Sequence, residues 1–179
     1  GMVAVLGVEI NEINNLLKSN QENYKCYIAN DNSNGQLVLS GLNSDIDKFI
    51  ETLKTKKIKN IKLPVSAPFH CKLMNKATSI MRDKISNTNF EKPKNVIISN
   101  VTGSETQEVD KIKDLLIKQI ESPVRWRESV IYMIKNGVTN FIEIGPGKVL
   151  SGLVKRIDKT INVNTINKLE DLKDIKLND

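Results

Sequence analysis

Histidine is the one side chain that takes and gives protons near neutrality without help from its surroundings. This sequence has a single histidine, His70. It closes the segment Pro64-Val65-Ser66-Ala67-Pro68-Phe69-His70. Each proline holds its own φ and biases the residue before it toward an extended form. The histidine backbone is therefore constrained before any ligand arrives. A general base must stand within hydrogen-bond reach of the proton it removes, and a stiff lead-in serves that need. The plainer alternative, a structural or exposed histidine, stays open on spacing alone.

Other reactive side chains fit simpler roles. Cys71 follows His70, but neighbouring side chains on an extended segment usually point apart, which argues against a Cys–His nucleophile pair. Ser66 lacks a G-x-S-x-G elbow and reads as a turn hydroxyl. Gly145-Pro146-Gly147-Lys148 lacks the spacing of a phosphate loop. It reads as a tight strand-to-helix turn, the alternative being a turn that approaches a ligand closely. Trp126 reads as a core or subdomain-contact aromatic. Cys26 and Cys71 are the only cysteines and form no CxxC pair. With one histidine and no thiol framework, no metal centre is expected, and a reducing, cytoplasmic setting is.

The elements that must position His70 follow from periodicity. Met2 to Val8 is apolar and reads as a strand. Ile13, Leu16 and Leu17 then recur at helical spacing. Tyr24 to Ala29 and Gln36 to Ser40 read as a hairpin around a turn over residues 30–35. Ile46, Phe49, Ile50 and Leu53 mark a second helix, capped by Asn43 or Ser44. Lys59 to Val65 reads as a strand. The order β-α-β-β-α-β is the ferredoxin-like split motif. After the prolines, Leu73, Ala77, Ile80, Met81 and Ile85 share a helix face. Val96 to Ile98 is a strand. A helix starts at Asp110, runs through Ile120 and stops near Pro123. Glu128 to Lys135, Phe141 to Ile144, Val149 to Ile157 and Val163 to Ile166 then read as helix, strand, helix and strand. This alternation argues for α/β structure with parallel pairing, although the sheet is short of strands.

Composition bounds the rest. The chain has 179 residues, 39% hydrophobic and 27% charged, enough to bury a core without disulfide or metal. No run of about 18 apolar residues occurs, so no membrane-spanning helix is expected. The net charge of +6 is mostly lysine; the only arginines are Arg82, Arg125, Arg127 and Arg156. A nucleic-acid reader more often uses arginine. An RNA-recognition domain also needs stacking aromatics on two central strands, and Val3 to Leu6 and Gln36 to Leu39 contain none. No nucleic-acid partner is expected. A solvated basic surface and attraction to an acidic partner both fit the charge.

Five stretches are informative together. They are Gly1-Met2-Val3-Ala4-Val5-Leu6-Gly7, then Asn30-Asp31-Asn32-Ser33-Asn34-Gly35-Gln36-Leu37-Val38-Leu39-Ser40-Gly41, then Leu63-Pro64-Val65-Ser66-Ala67-Pro68-Phe69-His70-Cys71-Lys72-Leu73-Met74. Gln119-Ile120-Glu121-Ser122-Pro123-Val124-Arg125-Trp126 and Glu143-Ile144-Gly145-Pro146-Gly147-Lys148-Val149-Leu150 complete the set. In this order and spacing they resemble the C-terminal part of the malonyl-coenzyme A:acyl carrier protein transacylase family, the malonyl loaders of fatty acid synthesis.

The resemblance implies a ferredoxin-like small subdomain at residues 1–63. It implies that residues 64–179 are the C-terminal part of an α/β-hydrolase-like large subdomain. The family nucleophile is a serine in a Gly-His-Ser-x-Gly elbow, and this sequence has no such segment. Also absent are the arginine that pairs with the malonyl carboxylate and the glutamine-glycine turn of the oxyanion hole. The chain is therefore expected to be a C-terminal fragment, with an N-terminal half supplied in cis or in trans. By the family pattern His70 is the general base that activates the serine and then the incoming thiol. The backbone carbonyl of Gln119 holds the imidazole. Asn32 matches an asparagine near the active-site cleft, and Phe69 matches a residue that accompanies malonyl rather than methylmalonyl selection. The implied substrates are malonyl-CoA and acyl carrier protein, with no metal and no cofactor. Acyl carrier proteins are acidic, so the surplus lysines would steer them. The alternative is a carrier-protein-binding fragment without catalysis. If upstream strands are needed, apolar sheet edges and faces are expected to be exposed.

Overall fold

Met2-Val3-Ala4-Val5-Leu6 is apolar at every position, which suits an inner strand covered on both faces. It forms β1 (Met2–Leu6). The computed structural model describes residues 1–174; the end of the charged tail, 175–179, lies outside the described residues. After β1 come α1 (Ile10–Ser19), β2 (Cys26–Ser33), β3 (Gln36–Gly41), α2 (Asn43–Thr55) and β4 (Lys59–Leu63). These strands form one sheet in the order β2-β3-β1-β4, with every neighbour antiparallel. Val3, Val5, Leu37 and Leu39 point to one face and pack with Ile13 of α1 and Ile46, Phe49 and Leu53 of α2. Met2, Ala4, Ala29 and Val38 occupy the other face, with Leu63 beside them. Phe49 is completely buried; truncation of such a ring to alanine costs about 3–5 kcal/mol.

Two local expectations are corrected here. The expected turn at 30–35 shrinks to Asn34-Gly35, because β2 continues through Asn30, Asp31, Asn32 and Ser33. Register shifts between Ile28 and Asn30 and between Asp31 and Ser33 absorb the polar run, and Gly35 turns the chain at φ +68°. A bulge lets residues that look like loop formers remain in a strand. The second helix begins at Asn43, and its N-cap is Leu42, with no side-chain cap bond.

Beyond β4 the chain forms a 3-10 turn (Lys72–Met74), α3 (Asn75–Asn87), β5 (Ile97–Ile98), β6 (Glu105–Thr106), α4 (Val109–Lys118) and α5 (Trp126–Lys135). β5 and β6 are two residues each and pair antiparallel, against the expectation of parallel pairing. The six-residue connection over 99–104, closed by bonds from the Ser99 N–H to the Ser104 carbonyl and from the Gly103 N–H to the Ser99 carbonyl, holds them close in sequence, where only a hairpin can close. On α3 only Thr78 is buried, while Ile80 and Met81 are exposed.

The chain divides into two compact units, Gly1–Ser129 and Val130–Asp179. In the second, β7 (Asn140–Ile144) and β8 (Asn162–Ile166) pair in parallel and are joined by α6 (Val149–Ile157). That is the strand–helix–strand arrangement expected from the alternation. A 3-10 turn (Leu169–Asp174) follows. Among the described residues, no helix is long and apolar enough to cross a membrane.

Candidate active site

The Pro64–His70 segment leaves β4 through a bond from the Val65 N–H to the Leu63 carbonyl, 2.9 Å. At its far end the chain turns sharply. His70 sits at φ +59°, a left-handed conformation that costs a non-glycine residue roughly 1–2 kcal/mol. The surroundings hold it there. Cys71 is buried, and its thiol donates to the Pro68 carbonyl at 3.2 Å. The Met74 N–H bonds the Cys71 carbonyl at 2.9 Å, and the Lys72 ammonium lies 5.4 Å from the Tyr27 ring centre. The thiol is thus engaged with backbone, and the imidazole with something else.

That partner is the backbone carbonyl of Gln119. His70 Nδ1 lies 3.0 Å from it. A carbonyl only accepts, so this bond requires Nδ1–H and leaves Nε2 with a free lone pair. Gln119 is the C-cap of α4, with its own N–H bonded to the Leu115 carbonyl at 2.9 Å. The last carbonyls of a helix lack partners in the helix. Four residues on, where a continuing helix would present an N–H to Gln119, stands Pro123, which has none. The helix end also carries partial negative charge.

His70 borders two cavities. One, of about 680 Å³, is lined by Phe69, Met74, Met81, Asn100, Leu116 and Gln119 among others. The second, of about 570 Å³, includes Cys26, Tyr27, Asp31, Cys71, Lys72 and Arg125. Phe69 is exposed beside His70. Asn32 is the extra residue at the second bulge of β2, half-buried, and lines neither cavity. Ser66 is exposed. The glycine-rich turn is closed from within the second unit. Glu143 accepts from the N–H groups of Leu150 and Ser151, at 3.1 and 2.7 Å, and the Gly147 N–H reaches Asn167 at 2.6 Å. Ser151 contributes most to holding the Glu143 carboxyl below its ordinary range, and the two N–H bonds to Glu143 occupy the start of α6. Among the described residues no cluster could hold a metal ion.

A malonyl CoA-acyl carrier protein transacylase of Staphylococcus aureus is 37% identical over 180 residues, covering 99% of this chain and 58% of that protein. The crystal structure of a malonyl CoA-acyl carrier protein transacylase from Clostridium perfringens matches with a TM-score of 0.92 at 38% identity, over 97% of this chain and 55% of that one. By sequence and by fold, this chain is a relative of the malonyl CoA-acyl carrier protein transacylases. No protein-family model matches it. A malonyl-transacylase solved in complex with a type II acyl-carrier protein matches with a TM-score of 0.90 at 31% identity, over 96% of this chain and 56% of that one. The chain thus spans a little more than half the length of its transacylase relatives.

Sequence reasoning missed what anchors the Gln119 loop in this transacylase relative. The Val124 N–H bonds the Ala29 carbonyl at 2.8 Å, and the Asp31 N–H bonds the Val124 carbonyl at 2.9 Å. Three residues after Val124, Arg127 grips the buried Asp31 carboxylate through Nε, at 2.9 and 3.0 Å, and Nη2, at 2.7 Å. The two residues stand 96 apart in sequence, and no local spacing announces such a pair.

Proposed function

We propose that this chain is the C-terminal part of a malonyl-CoA:acyl carrier protein transacylase, an acyltransferase of fatty acid biosynthesis. The observation that carries the proposal is the bond from His70 Nδ1–H to the helix-end carbonyl of Gln119, in a chain related to transacylases along nearly its whole length. In this reading residues 1–63 are a ferredoxin-like small subdomain, and residues 64–179 belong to an α/β-hydrolase-like large one. The β2-β3-β1-β4 sheet supports the first assignment, and the parallel β7–α6–β8 unit supports the second.

The chemistry is a two-step thioester exchange. A serine hydroxyl, supplied by an N-terminal half in cis or in trans, loses its proton to His70 Nε2 and attacks the malonyl thioester. Coenzyme A departs as its thiol, with the proton returned from His70. The carrier's phosphopantetheine thiol then gives its proton to His70 and attacks the malonyl–serine ester; the ester bond breaks as His70 returns that proton to the serine oxygen, and the malonyl group leaves on the carrier thiol. Gln119 contributes its main-chain oxygen, which keeps the ring in the tautomer needed for both steps. Phe69 and Asn32 are assigned to substrate binding. Phe69 borders the larger cavity beside His70, where a bulky ring disfavours a branched acyl group. The reaction needs neither metal nor redox cofactor, and cytoplasmic malonyl-CoA and acidic carrier protein are the proposed partners.

The absence of a G-H-S-x-G segment from these 179 residues favours a second reading, a carrier-binding fragment without catalysis. Mixing the chain with an N-terminal half that carries the serine separates the two. Malonyl transfer by the mixture, lost by at least ~10² on His70→Ala, is the expected result. Carrier binding without transfer supports the second reading, and turnover by the 179-residue chain alone overturns the assignment of the nucleophile.

A further inference from the structure

β2 is an edge strand, and both partners of the His70–Gln119 bond are tied to it. On the histidine side, Lys72 sits over the ring of Tyr27, and Cys26, Tyr27, Ile28 and Asp31 line one cavity with His70 and Cys71. On the carbonyl side, the segment after Gln119 docks on the open edge of β2 by a parallel bridge between Asn30 and Val124. One bridge of two hydrogen bonds sets the register of that segment only weakly. Arg127 adds the second anchor. Its fork takes both oxygens of Asp31, whose side chain is 4% exposed against 22% for the arginine. A bidentate guanidinium–carboxylate pair fixes direction as well as distance. The strand shifts register on either side of Asp31, and such bulges re-aim side chains.

We infer that Asp31 and Arg127 are positioning residues for the His70–Gln119 pair, acting by pinning the Gln119–Arg127 segment to the edge of β2. The inference rests on the acyl-transfer reading for its importance but not for its test. Neither residue touches a reacting atom. Their effect passes through Val124 and the five-residue run back to Gln119, and it appears as the fraction of His70 held as the Nδ1–H tautomer.

His70 is the only histidine in the chain, so ¹⁵N-histidine labelling gives one imidazole in the NMR spectrum. The labelled chain is studied with an unlabelled nucleophile-bearing half wherever that half is needed for solubility. The wild-type ring is expected mainly as Nδ1–H. Arg127→Ala should move the tautomer ratio toward Nε2–H by about fivefold, the equivalent of one ordinary hydrogen bond, and Arg127→Lys should recover part of the shift. A ratio unchanged in Arg127→Ala, or equal in the alanine and lysine variants, overturns the inference. Should Arg127→Ala unfold, the Asp31→Leu/Arg127→Leu double variant carries the test, because an apolar replacement of a buried ion pair is often tolerated. An unchanged ratio in that folded variant also overturns it. The outcome is separable from the acyl-transfer reading. An unmoved tautomer with intact transfer removes the positioning role alone, and transfer that survives His70→Ala removes the reading while leaving the tautomer result in place.

Discussion

Gln119 and Pro123 stand four residues apart where α4 ends, and the missing N–H of the proline leaves the Gln119 carbonyl to His70 Nδ1 at 3.0 Å. The acceptor is a main-chain atom, so the side chain at 119 is dispensable to the bond. In the complemented enzyme, Gln119→Ala should therefore retain transfer within about twofold. Pro123→Ala restores a competing N–H and should lower transfer by roughly fivefold, the value of one hydrogen bond. Steady-state malonyl transfer measures both. A large loss in Gln119→Ala with a silent Pro123→Ala would contradict the role assigned to the carbonyl.

Phe69 borders the larger cavity beside His70 and is exposed to it. Phe69→Ala should relax discrimination against methylmalonyl-CoA by roughly tenfold or more, the range open to one methyl group in an apolar pocket. Competition between the two thioesters reads the ratio directly. An unchanged preference would take specificity away from this ring.

Cys26 gives a pH signature that needs no partner. Burial, reinforced by the negative charge of Asp45, pushes its thiol from the ordinary 9.0 up to about 12. At pH 8 roughly one molecule in ten thousand carries the thiolate, so alkylation should wait on unfolding. The folded state disfavours the thiolate, so its contribution to stability is complete below pH 9 and is lost as pH rises toward 12. The unfolding free energy should fall across that window by at most roughly 4 kcal/mol more than in Cys26→Ala. Equal slopes in urea melts from pH 8 to 11 would show that Cys26 titrates normally.

The second unit shows large apolar side chains to solvent: Ile144 is 79% exposed, Val149 72% and Leu169 78%. With α3 presenting Ile80 and Met81 as well, the 179-residue chain should self-associate in isolation and become monodisperse when the N-terminal half is added. Sedimentation of both samples checks this. A monodisperse monomer that melts cooperatively by itself would contradict it.

Much of the fold was legible in particular residues. The apolar run Met2–Leu6 and the spacing of Ile46, Phe49, Ile50 and Leu53 announced the sheet and α2, because a strand covered on both faces is apolar throughout and a helix buried on one face repeats every three to four residues. The hairpin turn was misjudged. Asn30, Asp31 and Asn32 have turn chemistry, and only their pairing with β3 and Val124 keeps them extended. The parallel β7–β8 pair was legible from the strand–helix–strand pattern. The antiparallel β5–β6 pair, two residues per strand, was too short to leave a pattern.

The sequence by itself determined that a lone histidine would follow a stiff proline segment, and that a proline would stand four residues after Gln119. Both are properties of covalent geometry and need no neighbours. Only the tertiary structure decided that these two places meet, His70 and Gln119 being 49 positions apart, and that His70 would take φ +59°. The same holds for Asp31 and Arg127, joined across 96 residues. Such contacts depend on which edge of a sheet remains open after the rest has packed, and local propensity carries no record of that choice.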